Sequence, residues 1–249
     1  MNAAFAAFAF APALAVGSFL NVVASRLPVG QSITGPRSRC PHCDAQIAAR
    51  DNVPLLSFAL LRGRCRSCDG KISWRYPAVE LLTAALLAAC VVVFGLSLEA
   101  LAAAVFCAAL VAISATDLER MLVPNRIVLP AAAAVLVLQL VRDPSLEWPV
   151  AGLGAALFLF VAALVYPRGM GMGDVKLALL LGVAVGWTVP VALMGGMVAA
   201  LIPSVVLLAR HGSAARKHAI PFAPFLALGG VIALFAGHAV LGWYLGFLH

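Results

Sequence analysis

The chain has 249 residues, 63% of them hydrophobic and 11% charged, with a mean hydropathy of +1.04 and a formal net charge of +7. Soluble domains carry about 25% charged residues, so no water-soluble core hides this much apolar surface and the chain reads as an integral membrane protein. Apolar runs of about 20 residues between short polar loops predict helices rather than alternating barrel strands, and the positive charge reads as a topology signal rather than a nucleic-acid footprint.

In chain order, the first apolar run covers roughly Ala3 to Ala24. Its first cation, Arg26, follows the run, whereas a cleaved signal peptide carries its positive charge in front. The segment is therefore read as a retained first helix with its amino terminus outside. Eight spans are expected, at about 3–24, 77–95, 99–116, 124–141, 149–166, 174–187, 189–209 and 221–246. The sixth is short, and only Gly186-Trp187-Thr188-Val189-Pro190 separates it from the seventh. Pro203, Gly195-Gly196 and Gly229-Gly230, all inside spans, predict kinks or close helix contacts. Cys90 and Cys107 fall mid-span and are expected to serve packing.

The cations order these spans across the bilayer. Arg26, Arg37, Arg39, Arg50, Arg62, Arg64, Arg66, Lys71 and Arg75 lie on the first loop. Arg120 and Arg126 lie on the third, Arg168 and Lys176 on the fifth, and Arg210, Arg216 and Lys217 on the seventh. Arg142 alone lies on an even-numbered loop. By the positive-inside rule the odd loops are cytoplasmic and both termini are periplasmic. The expected organisation is a first transmembrane helix (1–24), a cytoplasmic loop domain (25–76) and a seven-helix membrane domain (77–249). Membrane lipid is an expected partner of the Arg-rich first loop, and nucleic acid is not expected.

That loop holds Cys40-Pro41-His42-Cys43 and Cys65-Arg66-Ser67-Cys68. Two C-x-x-C pairs about twenty residues apart have the spacing of a four-thiolate zinc ribbon. Two disulfides are the alternative, and cytoplasmic placement disfavours them. Four protein ligands leave no open position, so zinc on Cys40, Cys43, Cys65 and Cys68 would be structural. His42 is not expected to ligate, and Gly70 is expected to allow a tight turn behind the second pair.

Two aspartates carry the chemistry. Asp117 ends one apolar run in Ser114-Ala115-Thr116-Asp117-Leu118-Glu119, and Asp174 opens another after Gly169-Met170-Gly171-Met172-Gly173. Carboxylates beside a bilayer are costly and usually functional. The charge pattern puts both on the cytoplasmic side. Two adjacent carboxylates share a proton and supply a base for water and an acid for a peptide carbonyl. Asp174 equally suits a helix cap, and the two roles are compatible. Lys176 is read as an interfacial cation and Glu80 as the partner of Arg75. A non-enzymatic carrier using the aspartates as ion sites is the reading from another class, although transport carboxylates sit nearer the midplane.

In sequence the chain resembles the type IV prepilin leader peptidases, which are bacterial membrane aspartyl proteases. The likeness rests on Gly17-Ser18-Phe19-Leu20-Asn21, Arg39-Cys40-Pro41-His42-Cys43, Asn52-Val53-Pro54-Leu55-Leu56-Ser57, Arg62-Gly63-Arg64-Cys65-Arg66-Ser67-Cys68 and Tyr76-Pro77-Ala78-Val79-Glu80. Gly171-Met172-Gly173-Asp174-Val175-Lys176 and Pro221-Phe222-Ala223-Pro224-Phe225 complete it. The resemblance implies Asp117 and Asp174 as the catalytic pair, the latter in a G-x-G-D setting. It implies an inner-membrane enzyme that cuts prepilin or pseudopilin leaders after a glycine at the cytoplasmic face. It also implies N-methylation of the new terminus with S-adenosylmethionine, for which no site is legible. A peptidase without methyl transfer is the narrower alternative. Because the leader is basic, its recognition is expected to rest on an acidic group such as Glu80 or Glu119.

Overall fold

The structure is a computed structural model and describes residues 2–166, 170–212 and 220–246. Gly169, Arg168, Arg216, Lys217, His218 and His249 lie outside the described residues. Among those described, the chain is helical, with two isolated bridge pairs and no strand. The helices are α1 (Asn2–Arg26), α2 (Leu56–Leu60), α3 (Arg75–Phe94), α4 (Leu98–Arg120), α5 (Asn125–Arg142), α6 (Glu147–Val165), α7 (Met172–Val185), α8 (Val189–His211) and α9 (Ala223–Gly246).

Among the described residues, seven segments are long and apolar enough to cross a membrane. One of them, Met172–Arg210, has 39 residues and is broken by a 3-10 turn at Gly186–Thr188 into α7 and α8. The eight expected helices are therefore present, and the protein is a multi-pass membrane protein. The sixth is short, as its sequence implies: 14 residues make a rod of about 21 Å.

Two compact units divide the chain, Met1–Gly95 and Leu96–His249. In the first, α1 packs along α3. Asn21 on α1 donates through Nδ2 to the Tyr76 carbonyl on α3 at 3.1 Å. The polar segment between these helices carries α2 and the cysteines.

In the second unit α7 is central. It touches α4, α5, α6, α8 and α9, and its Leu177, Leu180 and Leu181 are fully buried. An apolar helix without a polar face suits that position. Neighbouring outward residues such as Leu153, Leu157, Val161 and Ile202 are exposed and form the surface that lipid covers. Lipid gives helices no hydrophobic reason to associate, so close contact between small residues carries the packing. The α8/α9 pair shows this: a Cβ on Gly229 would strike Ala192 and Gly196 of α8. The in-span glycines Gly195-Gly196 and Gly229-Gly230 thus serve contact, and α8 continues through Pro203. Cys90 and Cys107 are fully buried, as packing residues should be.

The two ends of α4 face different demands. At its start, Ser97 caps the helix by accepting from Ala100 N–H, and Glu99 pairs with Arg142 at 2.9 Å. The Arg142 guanidinium also lies 5.1 Å from the Trp148 ring centroid. The cation that stands apart from the others in sequence is thus held by an acid and an aromatic face. Glu147 accepts from Trp187 N–H at 2.9 Å and ties α6 to the α7–α8 turn.

Gly229→Leu should separate α8 from α9 and lower stability by about 2 kcal/mol. Gly154→Leu, where nothing lies within 4 Å of the added carbon, should leave stability unchanged. Thermal unfolding of both variants in detergent checks this.

Candidate active site and metal centre

Asp117 lies one turn from the end of α4 and is buried at 6% exposure. Its Oδ2 accepts from the Ala223 N–H, the first residue of α9, at 3.0 Å. Asp174 lies in the first turn of α7, where its N–H donates to the Gly171 carbonyl at 3.1 Å. The two acids stand on helices that touch one another, since α4 contacts both α7 and α9, and α7 contacts α9. Amino-terminal ends of two helices, α7 and α9, therefore meet the end of α4 around two acids. Unsatisfied N–H groups at helix starts favour negative charge.

The approach of α7 depends on Gly173. A Cβ there would lie 2.8 Å from Val123 Cβ, in the segment that follows α4. Any side chain there would force the start of α7 and Val123 apart. Lys176, one turn into α7, donates to Asn125 Oδ1 at 2.7 Å. Its ammonium thus links α7 to the start of α5, a more specific role than interfacial snorkelling. The Ala223 amide and Asn125 are parts of this site that sequence reasoning missed. The available signal was Pro221-Phe222-Ala223-Pro224, since such a proline marks a helix start, whose first N–H groups have no acceptor inside the helix.

The four cysteines of the first unit also come together. The Sγ atoms of Cys40, Cys43, Cys65 and Cys68 all lie within 4.8 Å of one another, and Cys40 to Cys68 is 3.9 Å. Four sulfurs around a zinc ion at ~2.3 Å stand ~3.8 Å apart. The described residues contain no disulfide.

Two copies of one turn build the cluster. Cys40 N–H donates to Ala45 O and Asp44 N–H to Cys40 O, both at 2.9 Å. Cys65 N–H donates to Gly70 O at 2.9 Å and Asp69 N–H to Cys65 O at 3.0 Å. Each turn closes on a bridge pair, Arg39 with Gln46 and Arg64 with Lys71. The left-handed residue is Asp44 in one and Asp69 in the other, both at φ 55. Aspartate tolerates that conformation better than most residues. Gly70 is therefore not the turn residue expected. It is small because a Cβ there would lie 2.8 Å from the His42 ring. His42 itself turns to the Lys71 carbonyl at 3.4 Å and stays outside the thiol cluster.

Electrostatics within the turns is uneven. The backbone amides of His42 and Cys43 draw the Cys40 thiol down to about 7. The Gly70 amide favours the Cys68 thiolate, yet the Cys43 thiol and loss of water outweigh it, and Cys68 is pushed up to about 12. A metal cation deprotonates all of its thiol ligands, and the donor set and spacing fit zinc. Arg66, inside the second C-x-x-C, grips Asp51 through three contacts of 2.7–3.1 Å and holds that carboxyl below the usual range.

Glu80 is placed differently from its expected pairing with Arg75. It is buried at 8% exposure, and its Oε2 accepts from the Leu55 N–H at 2.9 Å. Glu119, at the end of α4, is exposed.

The model for the bacterial peptidase A24 N-terminal domain matches residues 12–94, and that for the type IV leader peptidase family matches 104–208. Each match falls inside one of the two units. Proteins named prepilin leader peptidase/N-methyltransferase are similar nearly end to end. The one from Bacillus subtilis (strain 168) is 37% identical over 93% of this chain and 94% of its own length. That from Aeromonas hydrophila is 37% identical over 93% and 91%, and that from Burkholderia pseudomallei (strain 1026b) 38% over 93% and 85%. No solved structure matches the chain. Aligned with such relatives over nearly its whole length, and carrying its aspartates within or beside the matched helices, the chain belongs to the type IV leader peptidase family.

Proposed function

We propose that this protein is a membrane aspartyl endopeptidase that removes the leader of type IV prepilins or pseudopilins at the cytoplasmic face and then methylates the new amino terminus. The reading is supported by the placement of Asp117 at the end of α4, tied to the first amide of α9, and of Asp174 in the first turn of α7, in a chain whose relatives bear both activities in their name. It resides in the bacterial inner membrane with both termini periplasmic, which the cation pattern supports.

One aspartate works ionised and the other protonated. The ionised carboxylate takes a proton from water as its oxygen attacks the scissile carbonyl carbon. The protonated one donates a hydrogen bond to the carbonyl oxygen. The tetrahedral diol then collapses, the C–N bond breaks, and the leaving amine takes up the proton. The Ala223 N–H fixes one oxygen of Asp117 and leaves the other for this exchange. Both acids stand at helix ends rather than mid-helix, which suits a substrate cut beside its hydrophobic stem and not a carrier site at the midplane.

Cys40, Cys43, Cys65 and Cys68 would hold a zinc ion with all four positions filled, so its contribution there is structural. S-adenosylmethionine supplies the methyl group when bound. Glu119 contributes to meeting the basic leader.

Asp117→Asn and Asp174→Asn should each lower leader cleavage by roughly 100-fold or more while membrane insertion is retained. A gel shift of a co-expressed prepilin reads this, and cleavage preserved in either variant would reject the dyad. Gly173→Ala should slow cleavage about tenfold by displacing Asp174, read by the same assay. Cys→Ser at any of the four cluster positions should remove bound zinc from the purified protein and expose the 27–74 segment to protease. Full zinc occupancy in such a variant, measured by elemental analysis, would dismiss the site.

A further inference from the structure

Among the described residues two acids are buried, Asp117 and Glu80. Cleavage uses the first, and the hydrolytic step has no role for the second. Glu80 lies in the first unit, on the seam between α1 and α3. The seam is tight, since a Cβ on Gly17 would lie 2.7 Å from Glu80 Cα. Asn21, one turn further along α1, meets Tyr76, one turn earlier on α3. Asn21 and Glu80 therefore line the same stretch of the α1–α3 seam, one turn apart.

Asn21 is 4% exposed, and its Oδ1 is buried without a hydrogen-bond partner. Its orientation is settled by chemistry: the Tyr76 carbonyl can only accept, so Nδ2 faces it and Oδ1 is the orphan. A buried acceptor left unmet costs about 1–3 kcal/mol. The donor on Glu80 comes at a cost as well. Leu55 donates from a backbone at φ 57 and ψ −45, pinned by a Leu56 N–H to Pro54 O contact of 2.6 Å. A γ-turn of this hand is rare and strained, and strain of this kind gathers at ligand clamps. The seam therefore presents a carboxylate, an unmet amide oxygen and a strained stand-in donor. What these atoms lack in common is a positively charged group with several N–H bonds.

We infer that the seam at Glu80 and Asn21 binds an α-ammonium group, which displaces the Leu55 N–H from Glu80. The inference rests on the methyl-transfer reading, in which two reactants carry that group: the newly cut peptide at its amino terminus, and S-adenosylmethionine at its amino-acid end. The orphaned Asn21 oxygen fits either one.

The test is equilibrium binding to the full-length protein in detergent, using two pairs of probes. One pair is a peptide with the mature amino terminus, free or acetylated. The other is S-adenosylhomocysteine and its deaminated analogue. In the wild type the amine-bearing member of one pair should bind about tenfold tighter than its twin. Glu80→Gln and Asn21→Leu should erase that difference, while leader cleavage and zinc content stay unchanged. The pair that responds identifies which reactant occupies the seam. Should Glu80→Gln disturb cleavage, Asn21→Leu, which keeps the branched shape and the number of side-chain heavy atoms, decides alone. Discrimination that persists in the variants, or is missing from both pairs in the wild type, overturns the site. A wild type that binds neither pair yet cleaves prepilin sinks the methyl-transfer reading along with it and leaves the peptidase reading standing.

Discussion

The second unit is organised by the hydrogen bond between the Ala223 N–H and the Asp117 carboxylate. Lipid offers no water to a buried acid, so each polar group kept near it needs a partner from the chain. Here the partner is the first amide of α9, a group that has no acceptor within its own helix. One contact therefore meets two demands, the acid's and the helix end's. It also brings the starts of α7 and α9 to the end of α4, and every other element of the candidate site follows from that convergence. Gly173 is small because α7 must come close to Val123, and Lys176 reaches Asn125 because α5 begins there too.

The first unit meets its demands by other means. Its polar segment has too little apolar surface to fold around a core, so two matched turns bring four thiols together. The match extends beyond the cysteines. Arg39 and Arg64, Asp44 and Asp69, and Ala45 and Gly70 occupy equivalent places. The alanine-against-glycine pair marks where His42 from the first turn lies over the second. A symmetric pair of turns needs one asymmetric seat when a side chain crosses between them.

Much of this was legible because lipid makes simple demands. Hydropathy and the break at Gly186 predicted the long helices, and spacing predicted the thiol cluster. Asp117 and Asp174 stood out because acids are rare beside apolar runs. What stayed hidden has a common physical form. The Ala223 amide is backbone, which no residue letter announces. Gly70 read as a turn residue because glycine has two uses, conformational freedom and small size, and sequence does not distinguish them. Glu80 read as an ion-pair partner of Arg75, its neighbour in sequence, whereas its bond is to an amide 25 positions away.

The depth of Asp174 is controlled from the far end of its helix. At that end Gly186 adopts φ 58, Glu147 accepts the Trp187 N–H, and Gln139 donates to the Ala184 carbonyl at 2.9 Å. With this end held, a rod of 14 residues reaches about 21 Å, short of the roughly 30 Å of hydrocarbon. Its other end must then lie below the level that a full-length span would reach. Asp174 occupies that end, so a carboxylate in the first turn of a helix is drawn into the bilayer's edge without sitting mid-helix. A shortened helix solves what a longer one could not: it keeps the acid at a helix start, where N–H groups favour its charge, and still lowers it to where a hydrophobic substrate stem emerges.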